Sequence, residues 1–78
     1  MEIYKIKIKI DKHTFSCEAA ASDYNELERK MDYMAQDMSL LVPDANIRYV
    51  EAYLPNSVAG TSMCMASYYP DEKRFVKH

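Results

Sequence analysis

The chain has 78 residues, 49% hydrophobic and 28% charged, with one glycine and three prolines; this composition excludes a disordered chain and leaves room for one core. A formal net charge of −2 argues against broad attraction to nucleic acid or to anionic lipid, so any anion site is local. No apolar run reaches the roughly 20 residues that cross a bilayer, and the start "MEIYKIKIKI" lacks the parts of a secretory signal. Membrane partners are therefore not expected, and the expected address is cytoplasmic, the host cytoplasm if the chain is phage-encoded. Cys17 and Cys64 have no CxxC spacing and are expected as small, weakly polar residues in or near the core rather than as a disulfide.

From Tyr4 to Lys12 the sequence reads "YKIKIKIDK", a strand of period two with Tyr4, Ile6, Ile8 and Ile10 on a dry face and Lys5, Lys7 and Lys9 on a wet one. "HTFSCEAAA" alternates in the same way. A hairpin turning at Asp11 and Lys12 would set Ile8 against Phe15, Ile6 against Cys17 and Lys5 against Glu18. The absence of Gly or Asn at the turn favours a loop of four residues, which keeps each side chain on its own face.

Tyr24, Leu27, Met31, Met34, Ala35, Met38 and Leu41 recur at steps of three and four, the stripe of an amphipathic helix. Ser22 or Asp23 supplies the N-cap, and Asp23 with Glu26 has the spacing of a variant capping box. Glu26 precedes Lys30 by four residues, the favourable order for an ion pair. Pro43 ends the helix near Ser39 to Leu41. "NIRYVEAYLP" then reads as a strand with two partly apolar faces, Val50, Ala52 and Leu54 on one and Ile47, Tyr49 and Tyr53 on the other. The loop "PNSVAGT" leads to "SMCMASYY", a second hairpin with Met63 and Met65 on one face and Cys64, Ala66 and Tyr68 on the other. "PDEKRFVKH" begins with a turn at Pro70-Asp71 and continues either as a short edge strand, Arg74 to Lys77, or as a tail. The order β-β-α-β-β, with or without a last β, predicts a single compact α+β domain over 1–78, one helix on a four- or five-stranded antiparallel sheet.

No motif dictates a chemistry. His13 and Cys17 are about 13 Å apart on an extended chain, too far for a nucleophile and its base. Asp11, His13 and Cys17 do not form a ligand set, so no metal is expected. One glycine, Gly60, cannot build a phosphate loop, so no nucleotide cofactor is expected either. A helix covers only one side of a sheet. Ile47, Tyr49, Tyr53, Met63, Met65 and Tyr69, assigned to the other side, form a Tyr/Met-rich patch that calls for a protein partner or a second copy of the chain. The expectation is a non-enzymatic interaction module and homodimer, such as the small inhibitors or adaptors that phages and mobile elements encode. The alternative is nucleic-acid or nucleotide binding through Lys5, Lys7 and Lys9, which project at about 6.8 Å intervals, close to the phosphate spacing of one strand.

Overall fold

In a computed structural model, residues 1–55 and 61–78 are described; most of the "PNSVAGT" loop, with Gly60, lies outside the described residues. The elements run β1 (Glu2–Ile10), β2 (His13–Ala21), α1 (Tyr24–Leu41), β3 (Ile47–Pro55), β4 (Ser62–Tyr69) and β5 (Arg74–Lys77). All neighbouring strands are antiparallel, in the spatial order β2-β1-β3-β4-β5, and α1 packs on one face. The α+β architecture expected from the alternation is thus present, and the last segment is a strand.

The isoleucines of β1 explain why it sits inside the sheet. Ile6, Ile8 and Ile10 are all buried on the helix side, and β1 pairs on both edges, with β2 and with β3. The helix carries the chain from β2 across β1 to β3. Leu27 and Met31 are fully buried and Ala35 nearly so, against Ile6, Val50, Ala52 and Ala66. Small residues at Ala19, Ala21, Ala35, Ala52 and Ala66 let the helix approach the sheet closely.

The N-terminus of α1 is capped as its sequence suggests. Asp23 Oδ1 accepts the Glu26 N–H at 2.8 Å, and Glu26 Oε1 accepts the Ser22 N–H at 2.9 Å, one residue before the usual reciprocal partner. Lys30 donates to the Ala20 carbonyl and lies 3.9 Å from Glu26, tying the helix back to the end of β2. The C-terminus closes with the Val42 N–H on the Met38 carbonyl. Leu41 departs from its expected place in the stripe: it is 77% exposed, as is its neighbour Leu40 at 81%.

Three other expectations are corrected. The first hairpin has the two-residue turn Asp11-Lys12 and not a longer loop, with Ile10 opposite His13. Asp11 takes φ 50°, a conformation that aspartate tolerates better than most residues, and its N–H is held by the Asn46 carbonyl at 3.1 Å. Next, the β1/β3 register shifts between Lys9 and Ile10, which sets Ile47 against Ile10 and turns it into the core at 6% exposure. Finally, the β3/β4 register shifts between Ala52 and Tyr53, leaving Met65 as an extra residue. Cys64 then lies opposite Tyr53, away from the helix, while Met65 packs against the core and Met63 faces Leu54.

Candidate functional site

The face opposite α1 is built from alternate residues of all five strands, and the register arranges them in transverse rows. One row runs Thr14, Lys9, Tyr49, Tyr69 and Arg74; the next runs Ser16, Lys7, Glu51, Ser67 and Val76; the third runs Glu18, Lys5, Tyr53 and Cys64. Of the six residues expected to form an apolar patch, this face gathers Tyr49, Tyr53 and Tyr69. Ile47, Met63 and Met65 do not join them, since each register shift moves side chains across the sheet. The surface is therefore tyrosine set among polar groups rather than a greasy layer.

The lysine row is brought together as expected, and it has neighbours that strand alternation alone does not reveal. Lys7 Nζ lies 4.6 Å from the centre of the Tyr53 ring, and Arg74 lies 4.7 Å from that of Tyr69. Each contact is worth about 0.5–1 kcal/mol at an exposed site and presents a cation on top of an aromatic ring. Tyr53 Oη donates to Glu51 Oε1 at 3.1 Å. Burial, that bond and the carboxylate charge together push the Tyr53 hydroxyl up to about 12, so it remains a neutral donor at ordinary pH.

Beside Glu51 a second polar cluster forms. Cys64 Sγ is 3.9 Å from Glu51 Oε2 and 3.9 Å from Ser67 Oγ, and Ser67 Oγ is 2.7 Å from His78 Nε2. A serine-histidine contact of that length resembles a nucleophile with its base, but Ser67 is 3% exposed and its hydroxyl faces other protein atoms. With the His78 N–H on the Met65 carbonyl at 2.9 Å, the contact anchors the end of β5 to β4. His13 and Cys17 share β2, four residues apart on an extended strand, and do not meet. Desolvation raises the Cys17 thiol above its ordinary value, the opposite of an activated thiolate.

No protein-family model, no curated protein and no solved structure matches the chain. The site is therefore read from its own chemistry. Among the described residues no group of three or more His, Cys, Asp or Glu is placed to hold a metal ion, and no helix is long and apolar enough to cross a membrane.

Charge is segregated between the two layers. On the open sheet face Lys5, Lys7, Lys9 and Arg74 stand against Glu18 and Glu51, while α1 carries Glu26, Glu28, Asp32 and Asp37 against Arg29 and Lys30. The chain as a whole is at −2, so the cationic face is a local feature. At one end of the lysine row lies an open recess of about 540 Å³, lined by Ile3, Lys5, Glu18, Tyr53, Leu54 and Pro55 with Thr61 and Ser62. It is large enough for an aromatic or aliphatic side chain of a ligand, with Lys5 at its rim.

Proposed function

We propose that the chain is a non-enzymatic, cytoplasmic interaction module, an inhibitor or adaptor, that docks an acidic protein surface on the sheet face opposite α1. The observation that carries this reading is the grouping of Lys5, Lys7, Lys9 and Arg74 with Tyr49, Tyr53 and Tyr69 on the sheet face opposite α1, which no helix or strand among the described residues covers. Tyrosine and arginine dominate the energetics of protein interfaces, and rigid tyrosines in a sheet lose little entropy on binding. The recess beside Lys5 offers a socket for an anchoring side chain.

The test is comparative capture from cell extract by immobilised chain, read by quantitative mass spectrometry. Tyr49→Ala combined with Tyr53→Ala should reduce the specific partner by at least about 30-fold, the loss of roughly 2 kcal/mol expected of a central tyrosine. Gln36→Ala on the exposed side of α1 should leave it unchanged. Equal capture by all three proteins would overturn the reading.

Nucleic-acid binding by the same face is the second reading, favoured by the lysine spacing and by tyrosines able to stack on bases. Glu51 and Glu18 weigh against it, because they interrupt the cationic track that a phosphate chain would follow. A fluorescent oligothymidylate whose anisotropy rises at 20 mM salt and falls steeply with added salt would support it, and a flat response would remove it.

A further inference from the structure

The open edge of β2 is a different surface from the sheet face, and its occupant does not depend on how that face is read. β2 pairs with β1 through nine consecutive residues without a bulge, and it contains no proline and no lysine. Glu18 is its one acidic residue. Natural edge strands are usually blunted by such features, and the opposite edge, β5, follows that rule: four residues long, with Arg74 and Lys77 at its ends. On β2, by contrast, alternate N–H and C=O groups point outward from Thr14 to Glu18, and the next outward carbonyl, that of Ala20, accepts from Lys30 of α1.

The helix side of this edge is apolar and only partly covered. Phe15 is 47% exposed, Cys17 is exposed with its Sγ 4.0 Å from Met34 Sδ, and Leu41, on the same flank of α1 two turns beyond Met34, is 77% exposed. We propose that β2 is the seam of a homodimer in which two copies pair this strand antiparallel about a two-fold axis, giving a continuous ten-stranded sheet.

The strand itself selects the register. Antiparallel partners must share a face, and the one arrangement that pairs all nine residues is centred on Cys17, the middle of His13–Ala21. In it Phe15 lies opposite Ala19 of the second copy, a large side chain against a small one. Ser16 lies opposite Glu18 of the second copy and Thr14 opposite its Ala20, so no like charges face each other. Both helices come to the same side of the extended sheet, and the Met34 and Leu41 flanks close over the two Phe15 rings. The lysine rows of both copies share the other face.

Cys17 on the axis supplies a direct test. Opposed Cα atoms in an antiparallel pair are about 4.5–5.5 Å apart, within the range a disulfide spans. Diamide accepts the two electrons and two protons released as the two thiols join. Treatment of the full chain at about 50 μM should give a covalent dimer on non-reducing gels that survives Cys64→Ser and vanishes in Cys17→Ser. Light scattering should show Cys17→Ser itself still dimeric without oxidant, and Phe15→Lys at least about 30-fold weaker in self-association with its far-UV circular dichroism retained. Thr14→Lys, on the opposite face of the same strand, provides a second edge variant. A wild-type monomer at 100 μM, or a dimer that Phe15→Lys and Thr14→Lys both leave intact, would overturn the proposal. A dimer that cross-links through Cys64 instead would overturn it equally.

Discussion

Tyr68 has the most demanding position of any tyrosine in the chain: 3% exposed, with its ring in the core and its hydroxyl donating to Asp32 Oδ1 at 2.7 Å. Asp32 also accepts from Gln36 Nε2 at 2.8 Å, so one carboxylate fastens β4 to the helix. Burial, followed by the Asp32 bond and the charges of Asp32 and Glu28, pushes Tyr68 up to about 12, as burial and Glu51 do for Tyr53. In the unfolded chain both hydroxyls ionise near 10. Their folded values are higher, so the stabilisation they give is complete below pH about 10 and disappears as the pH rises towards about 12. Absorbance of tyrosinate at 295 nm should show Tyr53 and Tyr68 titrating late, along with Tyr4, whose hydroxyl burial also raises, together with the onset of unfolding. Tyr68→Phe should cost about 1–2 kcal/mol in urea unfolding, since it leaves Asp32 without this donor, and it should remove one of the late titrations. The apolar ring of Tyr68 was legible as part of an alternating strand. Its bond to Asp32 was not, because the two residues are 36 apart in sequence and Asp32 reads simply as part of the wet side of a helix.

At the scale of elements, legibility depended on whether the two faces of a segment differ in polarity. In β1 the lysines and isoleucines cannot be exchanged, so the pairing of Ile8 with Phe15 and Lys5 with Glu18 follows from alternation alone and is observed. In β3 and β4 both faces hold apolar side chains, and a one-residue shift leaves the pattern equally plausible. For that reason alternation alone sends Ile47 and Met65 to the far face, although they belong with the core. The Met65 bulge makes a specific prediction. Removing Met65 leaves Ala66 opposite Ala52 and Cys64 opposite Tyr53 in an uninterrupted ladder, so every remaining side chain keeps its face. The deletion variant should fold with the same circular dichroism, losing at most about 3 kcal/mol for the packing of one partly buried methionine. Failure to fold would mean that the bend introduced by the bulge, rather than the packing of Met65, is what the sheet requires.

For the whole molecule, a single helix closes a core on one side of a five-stranded sheet, and few side chains are fully buried. Ile6, Leu27, Met31 and Val50 are the largest of them. A chain of this length has about 4–12 kcal/mol of stability, whereas truncating a buried methionine to alanine costs about 2–5 kcal/mol. Met31 lies where α1 crosses the sheet, so its loss opens a cavity that neither layer can close without moving the other. Leu41 belongs to the same sequence stripe but lies outside the packed layer. Met31→Ala should therefore lower the urea midpoint by about a sixth or more, while Leu41→Ala should shift stability by no more than about 0.5 kcal/mol. Fluorescence and circular dichroism should report the same midpoint for Met31→Ala, because one core of this size unfolds as a unit. Comparable losses from the two substitutions would place the end of the helix against the sheet and would leave the apolar flank at Leu41 unavailable to a second copy.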